Sequence, residues 1–313
     1  MTKLDLSISI VNWNTRDHLE NCLDSVYRNT EGISFEVIVI DNNSSDGSVE
    51  MVKRRFPDAR LVDNRENLGF GAAHNQGIRM SNGRHVLILN PDTKLLPGCL
   101  RSLLSFLEEH VDVGAVGPKI LGPTGLGSLS AMRNVPTLLT EVFELTRLNR
   151  RFPKNRIIGR YYMSCSDPDV AREVPLLSGC CLMIKRSVLD EVGSFDEAFF
   201  IFGEDMDLCY RLNKAGWKCW YVPGAGIIHL GGESTKQIST RKIFHSQQAK
   251  YMFFAKHFGR VKAAEYRLVT LVTVLCIYLG CAATYPLASR EDRVKLRKVV
   301  SENHALLAWT LGG

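Results

Sequence analysis

Two hydrophobic rhythms alternate along the first third of the chain. Leu6 to Trp13 alternates and then runs apolar, as a buried strand does, and Asn14 to Arg16 makes a turn. His18 to Tyr27 follows with Leu19, Leu23 and Val26 at helical spacing. Phe35 to Ile40, FEVIVI, is a short continuous apolar run, the pattern of a parallel strand covered on both faces. It ends in Asp41, and the polar loop NNSSDGS leads to an amphipathic helix from Val49 to Phe56. Arg60 to Asp63 reads as another strand and Asn67 to Met80 as a glycine-rich turn entering a helix. His85 to Leu89 is a further buried strand, closed by Asn90, Pro91 and Asp92. This alternation predicts an α/β fold with a mostly parallel central sheet flanked by helices. Ligands bind such sheets beyond the carboxyl ends of the strands, where Asp41 and Asp92 stand.

The rhythm weakens in the middle. Gly117 to Asp169 holds GPTGLGS, a segment interrupted by Pro136 and a basic run from Arg147 to Arg160, and reads as a surface excursion carrying acceptor-side loops. Val174 to Ile184 reads as a strand with Ser178 and Gly179 inside it; a glycine there marks close approach of a ligand or another backbone. Then comes FDEAFFIFGEDMDLCYR, in which Glu204, Asp205 and Asp207 crowd behind an apolar run. Acidic residues suit a helix start. A carboxylate against apolar walls also has its pKa raised and can serve as a general base. On the residues alone both readings stand. A helix to Gly216, a strand from Trp217 to Val222, and Ile227–Ile228 leading to His229, Gly231 and Gly232 complete this part.

From Leu268 to Ala288 no charged residue occurs, about enough chain to cross a hydrocarbon core as a helix. Arg260, Lys262 and Arg267 precede it, and Arg290, Arg293, Lys295, Arg297 and Lys298 follow, so the flanking charges assign no orientation. A span, an in-plane anchor and a buried core helix all fit this stretch.

Composition narrows the class. With 313 residues, 45% hydrophobic and 23% charged, the chain can bury a sizeable core. A net charge of +6 suits an anionic substrate or membrane surface and does not call for nucleic acid. Nine cysteines without a CxxC pair read as reduced thiols in a cytosolic setting, and the N-terminus carries no secretory pattern, so a cytoplasmic location is expected.

Taken in order, SIVNWN (Ser9 to Asn14), VIVIDNNSSDGS (Val37 to Ser48), NLGFGAAHNQGI (Asn67 to Ile78), LNPDT (Leu89 to Thr93), LSGCCLMIKR (Leu177 to Arg186), the segment Phe195 to Trp217, and VPGAGIIHLGGES (Val222 to Ser234) resemble family 2 glycosyltransferases of the GT-A fold, in particular the rhamnosyltransferase-like branch. The resemblance covers about residues 5 to 260. It implies a nucleotide-sugar-binding catalytic domain over 1–235 and a helical, membrane-associating extension over 236–313. It implies that Asp41 accepts a hydrogen bond from the imide N–H of uracil or thymine, with Asn12, Asn67, Gly69, Asn75 and Asn90 also on the donor side. Asp92 and His229 would hold Mg²⁺ or Mn²⁺ on the diphosphate, the imidazole favouring Mn²⁺ somewhat. The chain departs from the commoner DxD here, because Asn90 stands at the first position. Asp205 would be the general base, with Glu204 and Asp207 as acceptor ligand and support. Arg133, Arg241 and Lys242 could meet a diphosphate or a membrane, or be solvated.

The resemblance implies an inverting transferase that moves a sugar, rhamnose first among them, from dTDP-rhamnose or a UDP-sugar to a saccharide or lipid-linked acceptor in cell-surface polysaccharide synthesis, at the inner membrane face. QxxRW and multiple spans, the marks of processive synthases, are not visible in the sequence. Two other readings are weaker. A sugar nucleotidyltransferase would carry a glycine-rich phosphate loop after its first strand, where this chain has NWNTRDH. A non-catalytic membrane-associated nucleotide-binding scaffold leaves the acidic residues without purpose. Gly69 and Gly71 suggest a dinucleotide fingerprint, but His74 occupies the third glycine position.

Overall fold

The computed structural model describes residues 4–124, 131–231 and 242–312. The chain divides into two compact units, one of residues 1–135 with 166–237, the other of residues 136–165 with 238–313. The division expected at 235 and 236 therefore misses a segment: residues 136–165 group with the C-terminal helices.

In the first unit, β1 (Leu6–Asn12), α1 (Arg16–Arg28), β2 (Phe35–Asp41), α2 (Ser48–Arg55), β3 (Arg60–Asp63), α3 (Phe70–Met80) and β4 (His85–Leu89) follow the expected alternation. After them come β5 (Thr93–Leu95), α4 (Cys99–Glu109), β6 (Val113–Leu121) and β7 (Met132–Arg133). In the second unit lie α5 (Leu138–Leu145) and α6 (Leu148–Arg151). The first unit resumes with β8 (Arg172–Glu173), β9 (Leu176–Leu177), β10 (Cys181–Lys185), α7 (Arg186–Val192), α8 (Glu204–Lys214) and β11 (Lys218–His229). The second unit ends with α9 (Lys242–Thr284) and α10 (Arg290–Thr310).

The main sheet has the order β3-β2-β1-β4-β10-β6-β11-β5, with β8 on β11. Strands β1 to β4 are mutually parallel where they pair, β6 and β11 are parallel, and β10 runs antiparallel between β4 and β6. β1 and β4 are buried on every residue, as strands covered on both faces are. The three polar residues of β1 are paired: Ser7 Oγ donates to Glu36 at 2.7 Å, Ser9 Oγ lies 2.9 Å from His74 Nδ1, and Asn12 Nδ2 donates to Asp41 at 2.8 Å.

Two expectations fail here. Gly117 does not begin a surface excursion, because it lies in β6, in the sheet between β10 and β11. Val174 to Ile184 is not one strand. It breaks around Ser178–Cys180 into β9, which pairs with β7 in a separate two-stranded sheet, and β10, which lies inside the main sheet.

The second unit has a polar core. Lys250 Nζ lies 2.8 Å from Glu141 and 2.6 Å from Glu144, and Gln247 and Tyr266 also donate to Glu141. Burial opposes the lysine's charge, but the two glutamates outweigh it and hold its pKa well above the ordinary value. Around this network Phe254, Ala263 and Tyr266 make the apolar part, with Leu138 and Trp309 against them.

Candidate active site

Strand direction alone gathers most of the expected residues at one edge. Asn12 and Asp41 end β1 and β2 opposite one another. Asn90 follows β4, and β10 enters the sheet at the same edge, Cys181 pairing with Leu89. The Asn90 N–H donates to the Cys180 carbonyl at 2.9 Å, which ties the two turns together. Paired strands lie about 4.8 Å apart, so Asp41 stands two strands, about 10 Å, from the end of β4.

Asp41 is only 1% exposed and both its oxygens are engaged. Oδ2 accepts from Asn12 Nδ2 at 2.8 Å, and Oδ1 accepts from the Ser44 N–H at 2.7 Å. Asn12 in turn accepts from Thr15 Oγ1 at 2.7 Å, so its amide is spent on building the loop. Each carboxylate oxygen of Asp41 has lone-pair capacity left for a ligand donor. Nearby, Asn42 Nδ2 donates to Asn67 Oδ1 at 3.2 Å and to the Gly69 carbonyl at 3.1 Å. Gly69 has φ of +84°, and a Cβ there would sit 2.4 Å from the Phe200 carbonyl oxygen, so only glycine lets these loops meet. Asn75, expected on the donor side, clasps Phe195 instead: its amide donates to the Phe195 carbonyl at 2.9 Å and accepts the Phe195 N–H at 3.0 Å. Its buried amide is occupied by the loop that carries the acidic residues, so it positions that loop from behind.

Asp92 and His229 are brought together by register. β5 and β11 pair antiparallel with His229 opposite Thr93, and the Leu230 N–H donates to the Asp92 carbonyl at 3.1 Å. The two side chains meet at 3.1 Å, Asp92 Oδ1 to His229 Nε2. Asn90 Oδ1, two residues back in the same loop, is buried without a hydrogen-bond partner. Among the described residues no cluster of three His, Cys, Asp or Glu side chains forms a closed cation cage. An aspartate, an imidazole and an orphaned amide oxygen are nevertheless a fitting donor set for Mg²⁺ or Mn²⁺, which commonly complete their shell with substrate phosphate and water.

The acidic residues open α8. Gly203, with φ of +84°, turns the chain into the helix, and Glu204, Asp205 and Asp207 fill its first turn. They separate into three roles. Asp207 is fully buried and bonds Arg211 Nε at 2.8 Å, while that guanidinium also holds the carbonyls of Val192 and Ser194. It is support. Asp205 Oδ2 accepts the Gly179 N–H at 3.0 Å, and Oδ1 accepts the Met206 N–H at 2.8 Å. A Cβ at Gly179 would lie 3.1 Å from the Asp205 Cβ, so the expected close approach is the approach of this carboxylate. Glu204 has one carboxylate oxygen buried without a partner. Burial first, and the neighbouring Asp205 charge second, push its pKa up to about 8.

Arg133 completes the group. β7 pairs with β9, which sets the guanidinium 3.9 Å from Asp205 Oδ2. Its charge acts on Glu204 as well, and the buried Cys180 thiol feels Asp92, Arg133 and Asp205 together. Asp92, Asp205 and Arg133 thus act together on the turn at Cys180, with His229 beside Asp92, Glu204 beside Asp205, and Asp41 farther along the edge. Sequence reasoning left Arg133 open and missed Asn42 and the Gly179 N–H. An isolated arginine before a proline carries no chemical signature, and a backbone donor carries none at all. Arg241 lies outside the described residues. Lys242 opens α9 in the other unit.

The profile described as Glycosyltransferase like family 2 matches residues 5–248. The chain belongs to that family. Its fold is of the GT-A type, as in the mannosyltransferase PcManGT from Pyrobaculum calidifontis, solved in complex with GDP-Man and Mn²⁺, which superposes with a TM-score of 0.55 at 16% identity over 99% of this chain and 88% of that one. GalNAc-T7, solved with UDP, GalNAc and Mn²⁺, superposes with a TM-score of 0.54 at 18% identity over 73% of this chain and 44% of that one. Among curated relatives, the N-acetylglucosaminyl-diphospho-decaprenol L-rhamnosyltransferase of Mycobacterium tuberculosis is 33% identical, over 81% of this glycosyltransferase and 85% of the relative. The low-salt glycan biosynthesis hexosyltransferase Agl10 of Haloferax volcanii is 28% identical over 81% and 74%.

Proposed function

We propose that this glycosyltransferase moves rhamnose, with inversion at the anomeric carbon, from dTDP-rhamnose to a hydroxyl of a lipid-linked saccharide at the cytoplasmic face of the membrane. The observation that carries the choice of sugar and acceptor is the 33% identity, over 81% of the chain, to a rhamnosyltransferase whose name specifies a diphospho-decaprenol acceptor. A UDP-sugar donor remains the second reading on the geometry of Asp41, since uracil and thymine present the same imide N–H to a carboxylate.

The arrangement supports a direct displacement. Asp205, fixed by two backbone N–H groups, takes the proton of the acceptor hydroxyl as that oxygen bonds to the anomeric carbon. The bond from that carbon to the diphosphate oxygen breaks, and its electron pair leaves with the nucleotide. Glu204, with a pKa near 8, holds a proton through most of the neutral range. In that protonated form it donates a hydrogen bond to an acceptor oxygen, which leaves the proton transfer to Asp205. Asp92, His229 and Asn90 are the residues that would hold Mg²⁺ or Mn²⁺, and such an ion offsets charge gathering on the departing diphosphate. Arg133 adds a fixed positive charge beside Asp205.

The test is a donor panel with purified protein, Mn²⁺ and a prenyl-diphosphate-linked N-acetylglucosamine acceptor. Transfer from dTDP-rhamnose with inverted configuration, read by NMR of the product, is the expected result. Retention of configuration, or preference for another donor over dTDP-rhamnose, would overturn the assignment.

A further inference from the structure

The apolar run of α9 faces outward from its own unit. After the break at Gly259, where φ is +87° and ψ 171°, the helix buries Ala263, Tyr266, Thr270, Thr273 and Val274. On the opposite side Leu268, Val272, Leu275 and Leu279 are 59%, 51%, 42% and 70% exposed. Their spacing of four, three and four residues puts them on one face. By length and composition this helix is apolar enough to cross a bilayer.

Its partner argues against crossing. α10 turns back and runs beside the whole apolar stretch: Arg267 Nη2 donates to the Trp309 carbonyl at 2.6 Å and Tyr278 Oη to the Val300 carbonyl at 2.9 Å. Arg297 donates to Tyr285 Oη at 2.7 Å near the bend. If α9 spanned the bilayer in this packing, α10 would be carried to the same depth. Arg290, Glu291, Asp292, Arg293, Lys295, Arg297 and Lys298, all exposed, would enter the hydrocarbon, each at a separate cost. Laid flat, the same hairpin sinks the apolar stripe and leaves the charges at headgroup level. Residues 260–310 hold eight Lys or Arg against four Asp or Glu, a net +4 out of +6 for the chain, so the complementary surface is anionic.

We propose that the α9–α10 hairpin lies in the plane of an anionic bilayer, with Leu268, Val272, Leu275 and Leu279 among the acyl chains and the cations of α10 against lipid phosphates. This deepens the membrane-facing part of the proposed function and rests on it.

The experiment uses the full chain and vesicles of phosphatidylcholine, alone or with about one-third phosphatidylglycerol. Tryptophan is placed singly in Leu268→Trp, Leu279→Trp and Leu287→Trp, and quenching by lipids brominated at successive chain depths is compared with the parent protein. Equal, shallow depth at all three sites is expected. Leu279→Trp near the bilayer centre with the other two near opposite surfaces would mean a span and would overturn the in-plane arrangement. Quenching at none of the three would remove membrane docking altogether. Arg290→Gln combined with Lys298→Gln should weaken partition to the anionic vesicles about fivefold per charge removed and leave neutral vesicles little changed. Equal weakening on both would refute the role of the anionic surface. Transfer to a short water-soluble acceptor, measured on every variant, should match the parent. If docking persists while the parent transfers to neither the soluble nor the prenyl-diphosphate-linked acceptor, the proposed donor and acceptor fail separately from the placement of the hairpin.

Discussion

Glu204→Gln is the substitution whose outcome follows most directly from the geometry. Glu204 is 6% exposed at the start of α8, has a carboxylate oxygen without a partner, and touches the field of Asp205. Its pKa rises from 4.5 in the unfolded chain to about 8 in the folded one. Between those values the folded state keeps a proton that the unfolded state has released, so stability falls as pH increases. Below pH 4.5 both states are protonated and the residue is neutral in its effect. Above pH 8 the full cost is present: about 1.4 kcal/mol for every pH step of one between the two values, or about 5 kcal/mol in all. Glutamine keeps the shape and removes the ionisation. The variant should therefore match the parent near pH 4.5 and exceed it progressively toward pH 8, where the gap levels off. Urea unfolding at a series of pH values, compared between parent and variant, isolates this one group from the other titrations. A difference that stays constant across that window would show that Glu204 ionises normally, and the division of labour between the two acidic residues would fall with it.

Asp205→Asn turns an amide NH2 toward one of the two backbone N–H groups the carboxylate accepts, which should cost about 1–3 kcal/mol in urea unfolding, and transfer should drop by about 10²–10⁴-fold, read as turnover on the preferred donor. Wild-type turnover would reassign the base. Gly179→Ala brings a methyl 3.1 Å from the Asp205 Cβ, so the carboxylate must shift. We expect turnover to fall with little change in the donor's Kd. Asp92→Asn and His229→Ala should each weaken Mn²⁺ binding measured by calorimetry in the presence of nucleoside diphosphate, and an unchanged Mn²⁺ affinity in both would locate the ion elsewhere. Lys250→Met leaves Glu141 and Glu144 facing one another in a buried site and should cost about 3–5 kcal/mol of the second unit's stability, observed by chemical denaturation.

Much of the sheet was legible because its information is local. FEVIVI and HVLIL have the pattern of strands covered on both faces, and Asp41 and Asp92 after them marked the edge where a ligand was expected. The helix α4, with Leu100, Leu103, Leu104 and Leu107 buried on one face, was not among the expected elements, although its spacing is of the same local kind. The break in Val174 to Ile184 was not readable. Its residues are apolar on both sides of Ser178 and Gly179, and what interrupts the strand is the turn that carries the Gly179 N–H to Asp205. The clasp made by Asn75 was not readable either, because its partner Phe195 lies far away in sequence.

Residue types and their order were enough to establish an α/β chain, the acidic loops at its strand ends and the family to which it belongs, since these depend on periodicity over a few residues and on motifs that survive in one dimension. Tertiary structure decided the rest. Register across β5 and β11 put His229 on Asp92, antiparallel β10 carried a backbone donor to Asp205, and burial made Glu204 a proton holder beside an anchored carboxylate. The C-terminal run is the plainest case. Its composition permitted a span, and only the charged helix packed along it shows which apolar side of α9 is left uncovered, because solvation cost depends on what lies alongside a helix as much as on the helix itself.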